Sequence, residues 1–159
     1  MTASSRLVRT GLLTALSDGL FSTVLVAVFY RSSVARLWQG VASVLLGPEA
    51  FNRGAATVAL GLLMHVGVAF TWSALFQLVL MRWPLVRRAC ASPFGVALLA
   101  VLYGPFIWTV MSWAVIPAFT HRPPTIGFRW WIQFVGHAPF VGLPIVASSA
   151  AGAGRSSSR

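Results

Sequence analysis

The sequence has no lysine, one cysteine and only two acidic residues, Asp18 and Glu49, among 159. Charged residues make up 9% of it, against roughly 25% in soluble domains, too few to cover a water-facing surface. A lone Cys90 excludes an intrachain disulfide and a cysteine-based metal site. No His-Glu-x-x-His, phosphate-binding glycine loop or nucleophile elbow occurs, so nothing marks an enzyme and no cofactor is expected. No internal repeat occurs either, which removes the usual basis for an inverted-repeat transporter.

What remains is apolar. Hydrophobic residues are 57% of the chain and mean hydropathy is +0.80. Crossing a bilayer core takes about 20 mostly apolar residues in a helix. Four segments satisfy this, at about 7–30, 54–81, 94–119 and 129–150. The fold class expected is all-α: one polytopic membrane domain over 1–150, with a disordered polar tail at 151–159. The short connection 82–93 makes spans two and three antiparallel neighbours, and Pro123-Pro124 ends span three. Asp18 interrupts the first apolar run and no Ala-x-Ala-like site follows it, so that run reads as a span and not a cleaved leader.

Between spans one and two, Val34, Leu37, Trp38, Val41 and Leu45 recur at helical spacing with polar residues between them. This predicts an amphipathic helix at about 33–46, ended by Gly47-Pro48 and lying in the membrane interface. A re-entrant piece is the alternative.

The positive charge, net +10, is all arginine and sits at the ends of the apolar runs. That distribution sets topology and meets headgroups; it forms no stripe for nucleic acid. The basic connection Arg82–Arg88 favours termini on the cytoplasmic side of a bacterial inner membrane. Phe29, Tyr30, Trp38, Phe51, Trp83, Trp130 and Trp131 fall near span ends and read as interfacial belt residues without a ligand role.

Three ionisable side chains lie deep in spans. Asp18 is about 16 Å along span one, His65 about 16 Å into span two from the other end, and His137 about 12 Å into span four from that same end. These depths allow one shared cluster, with Tyr103 and Gln77 as outer members. Burying such groups in lipid is costly, by roughly 3 kcal/mol for an aspartate, so they turn inward and find partners. The bland reading makes the aspartate and histidines packing glue. The sharper ones make them a proton relay or cation site, a three-ligand metal site, or axial ligands of a bis-histidine haem. Gly11, Ala15 and Gly19, with Gly61, His65 and Ala69, are spaced for close packing of spans one and two, with Gly61 and Gly19 at the contact. Pro105, Pro139 and Pro144 should kink or locally open their helices.

The helix from Gly11 to Asp18, the stretches Leu37 to Gly47 and Ala50 to His65, and the features Tyr103-Gly104, Met111, Pro117 and His137 to Ile145 together resemble a family of small bacterial inner-membrane proteins. The resemblance runs over nearly the whole length. It implies four transmembrane helices, no assigned activity, and motif positions for Asp18, His65 and His137. The chain departs from the family pattern at Asn52 and Arg53, where an acidic residue and a glycine are common.

The expected function is that of a non-enzymatic accessory or envelope-associated membrane protein, with the lipid bilayer and a second copy or another membrane protein as partners. The alternative is a small oligomeric proton- or cation-coupled transporter or channel using Asp18, His65 and His137. A small b-type cytochrome is the third reading.

Overall fold

The structure, a computed structural model, describes residues 2–154. Within them it is all helical. Four helical stretches are long and apolar enough to cross a membrane: Ala3–Phe29, Ala55–Arg82, Pro93–Thr120 and Phe128–Ala151. Span one is helix α1 (Ala3–Val24) continued by a π-helical turn, Leu25–Phe29. Helix α2 (Val34–Leu46) and a 3-10 segment, Gly47–Asn52, lead into span two, which is α3 (Ala55–Arg82). After the short α4 (Pro84–Ala89), span three joins α5 (Pro93–Val110), a π turn at Met111–Val115 and α6 (Ile116–Thr120). Span four joins α7 (Phe128–His137), a π turn at Ala138–Gly142 and α8 (Leu143–Gly154). Of the tail expected to be disordered, residues 155–159 lie outside the described residues.

Helix ends follow local chemistry. Thr2, Ser33 and Ser92 cap α1, α2 and α5 by accepting from the backbone N–H groups of Ser5, Arg36 and Gly95. The Arg87 guanidinium donates to the Met81 carbonyl at 2.9 Å, satisfying the end of α3. Span three stops at Thr120, where His121 turns left-handed ahead of the two prolines. Gly47 and Gly54 both have positive φ, 65° and 58°. They bound the 3-10 segment where the chain turns from α2 into α3, a backbone shape that suits glycine.

The spans are turned with bulk outward and small groups inward. Along α1 and its π turn, Leu12, Leu16, Leu20, Val24 and Val28 are exposed at four-residue spacing, whereas Thr10, Gly11, Thr14 and Ala15 are buried. A membrane helix can do this because lipid accepts apolar surface, and close packing then comes from small residues. The buried Thr14 hydroxyl donates back to the Thr10 carbonyl, 2.9 Å, and so costs no unmet hydrogen bond.

Spans three and four cross most tightly. A Cβ on Gly104 would overlap the His137 carbonyl, and one on Gly142 would overlap that of Ala100. Spans two and three are neighbours through aromatic side chains: Tyr103 packs on Phe76 and Trp72, and its hydroxyl donates to the Trp72 carbonyl at 2.9 Å. Span one meets span four through Phe21, which stacks on Phe140 with centroids 4.4 Å apart. A buried cluster of Phe76, Ala100, Ile107, Val141, Ile145 and Val146 runs from the middle of the bundle toward the Arg87 end.

The glycine expectation holds for span one and not for Gly61. Gly11 faces the Phe70 ring of α3, and Gly19 leaves room for His65. A Cβ on Gly61 would instead overlap the backbone carbonyl of Trp38, so its role is to let α2 lie directly on α3. That seat buries Trp38, Gln39 and Ala42. It is tied at its end by Gln39 donating to the Gly54 carbonyl (3.3 Å) and Thr57 to the Ala50 carbonyl (2.7 Å). The amphipathic helix therefore turns its apolar face onto the bundle. Of the prolines, Pro139 lies in a π turn and Pro144 is the second residue of the helix that follows it, while Pro105 sits within an uninterrupted α5.

Candidate functional site

Toward the α2 end the bundle is hollow. A cavity of about 770 Å³ is bounded by all four spans and roofed by α2. Asp18 from span one, His65 from span two and His137 from span four all line it. Span three contributes Trp108, Met111 and other apolar side chains, and α2 contributes Arg36, Trp38 and Val41. The three ionisable residues singled out by depth thus share one space.

Asp18 and His65 form a pair across spans one and two. His65 Nδ1 lies 3.7 Å from Asp18 Oδ2. The other ring nitrogen, Nε2, is 2.9 Å from the Ala15 carbonyl oxygen. A carbonyl only accepts, so Nε2 carries hydrogen, and in the neutral imidazole Nδ1 is then the lone-pair nitrogen. A lone pair facing a carboxylate would repel it. The juxtaposition is favourable when the pair carries one proton, as carboxylic acid with imidazole or as carboxylate with imidazolium. Among the described residues, Asp18 Oδ1 is buried without a hydrogen-bond partner.

His137 is held differently. Its Nδ1 donates to the Gln133 carbonyl one turn earlier, 2.7 Å, leaving Nε2 as the lone-pair nitrogen. Each histidine is backed by a tryptophan: Trp38 stands 5.1 Å from His65 and Trp108 stands 5.0 Å from His137, centroid to centroid. The Trp108 indole N–H and the Gln133 side-chain oxygen are buried without partners on the same wall.

Two chemistries considered from sequence do not fit this arrangement. Among the described residues no three His, Cys, Asp or Glu side chains come close enough to hold one metal ion, so the trio is not a three-ligand metal site. Axial haem ligation would need an available lone pair on both histidines, and that of His65 is directed at Asp18. Tyr103 and Gln77 are set apart from the cavity. Tyr103 is bonded to Trp72 within the aromatic contact of spans two and three, and the Gln77 amide nitrogen is buried without a partner. Cys90 lies beyond the spans, where partial burial pushes its thiol pKa up and makes it a poor nucleophile.

Trp38 corrects the belt assignment. It is 7% exposed and forms a cavity wall, whereas Phe29, Trp83 and Trp131 are more than half exposed, as belt residues are. Trp108, Gln133, Thr14 and Arg36 also line the cavity and were not singled out from sequence. For Trp38 a signal existed: it lies at the centre of the apolar stripe of α2, which had to be buried on something.

Over 49 residues the chain is 39% identical to a cobalt transport protein, CbiM, of Carboxydothermus hydrogenoformans. That stretch is 31% of this chain and spans about a fifth (20%) of the relative's length. No family model matches the chain, and no solved structure matches it.

Proposed function

We propose that this protein is a non-enzymatic membrane protein of the transport class, which takes a small solute into the cavity beneath α2 and couples it to a proton carried by the Asp18–His65 pair. The observation that carries this reading is the placement of Asp18, His65 and His137, from three different spans, around one cavity of about 770 Å³. Pockets of roughly 300–1,000 Å³ suit small-molecule ligands, and ionisable groups at bilayer depth mark proton and ion pathways. The local similarity to a cobalt transport protein supports the class without supplying the substrate. The membrane is that of the bacterial cytoplasm, with both termini inside, by the basic Arg82–Arg88 connection.

A second reading, an accessory protein acting through helix contacts, draws on the bond from His65 to the Ala15 carbonyl, which joins spans one and two directly. Proteoliposomes separate the two. Solute-driven proton movement, reported by an internal pH dye and abolished by Asp18→Asn, is the result the transport reading expects. No solute-driven proton movement in the wild type would leave the accessory reading in its place, and movement unaffected by Asp18→Asn would remove the pair from the coupling.

A further inference from the structure

Resting on that reading, we infer that the cavity accepts a lipophilic organic monocation and gives up one proton when it does. Three observations converge. Among the described residues the cavity's one acidic side chain is Asp18, whose Oδ1 is buried with no hydrogen-bond partner, an unmet carboxylate oxygen whose cost a cation beside it would offset. The surrounding walls carry Trp38, Trp72 and Trp108, whose ring faces attract cations and accept apolar substituents at the same time. The set that could hold a bare divalent ion is missing, because no three ligating side chains converge among the described residues. An anion would meet Asp18, and a strongly hydrated small cation would have to exchange its water for a largely apolar wall.

The proton count follows from charge. With one proton between them, Asp18 and His65 are together neutral. Adding a cation leaves a net positive charge at bilayer depth, where unbalanced charge is expensive. Releasing that proton restores neutrality: His65 is left neutral, donating through Nε2 to Ala15, and the guest cation beside the carboxylate offsets the repulsion between that carboxylate and the Nδ1 lone pair. The other titratable or charged groups facing this space are His137 on span four and Arg36 on α2; span three contributes none. The Arg36 guanidinium sits over the Phe51 ring, 5.3 Å from its centroid, at the rim. Linkage sets the sign: a site that releases a proton on binding binds more tightly as pH rises through the range in which the pair holds that proton.

The test is calorimetric titration of the purified full chain in maltoside with tetraphenylphosphonium, neutral triphenylphosphine oxide and cobalt(II) chloride, in buffers of differing ionisation enthalpy. The expected result is saturable binding of tetraphenylphosphonium with one proton released per cation. Kd should fall about tenfold per pH unit by one-proton linkage. Asp18→Asn should weaken binding by about 100-fold, as removing one member of a buried charge pair does, and Arg36→Gln should tighten it. Saturable binding of the neutral oxide or of cobalt without tetraphenylphosphonium would overturn the organic-cation assignment and leave the solute cavity standing. Binding of none of the three would overturn both. Binding of tetraphenylphosphonium that is independent of pH, or unchanged in Asp18→Asn, would overturn the exchange.

Discussion

The two halves of this bundle are built from the same apolar residue types, and only one of them is filled. Toward the Arg87 end, Phe76, Ala100, Ile145 and Val146 interlock with almost no exposure, and spans three and four touch backbone to backbone where Gly142 meets Ala100. Toward the α2 end, spans of the same apolar character stand around a cavity, and an extra helix is laid across them. The difference lies in what stands at the centre of each half. Small residues opposite flat aromatics close one half. In the other, two histidines each backed by a tryptophan, and an aspartate, stand around the open space. A fold needs one tight half to stay assembled, and the tight half frees the other to hold something.

The contrast can be broken from the filled side first. Gly142→Val would drive a side chain into the Ala100 carbonyl and should cost about 3 kcal/mol or more, as overpacking a tight contact does. The readout is a large fall in melting temperature, or loss of monodisperse protein in detergent. Next come matched deletions. Ile145→Ala in the filled half should cost about 3 kcal/mol, because Ile145 is fully buried and its loss leaves a void. Val41→Ala on the cavity wall enlarges an existing space and should cost under about 1 kcal/mol. Equal costs in denaturant melts would mean that the cavity is filled in solution. The smallest effect is expected from Tyr103→Phe, which removes one interhelical hydrogen bond, of about 0.6 kcal/mol in membranes, and leaves ligand binding unchanged because Tyr103 stands outside the cavity.

Much of the architecture was legible in residue order. The four spans follow from run length, and the common depth of Asp18, His65 and His137 from helical rise alone. Azimuth was not legible. Spans two and three are apolar all round, and a helix without an amphipathic stripe does not announce which side faces inward. Tyr103 was accordingly grouped with the cluster although it points at Trp72 and Phe76. Local sequence places Trp38 at the interface, whereas its burial depends on Gly61, twenty-three positions later, admitting the α2 backbone. The cavity itself is a property of packing that no local pattern encodes, and the π turns that reset helix phase in three of the spans have no sequence signature beyond the prolines near two of them.

The central claim is that the Asp18–His65 pair is kept for binding and not for folding. It is tested most directly by measuring melting temperature and solute binding together for the wild type, Asp18→Asn, His65→Gln and the double variant. The account predicts that Asp18→Asn melts at or above the wild type while binding and its pH dependence vanish, the pattern of a site held at some cost to stability. If each single variant instead melts lower by a similar amount, the double is no worse than either, and binding survives, the pair is structural glue and the account is contradicted.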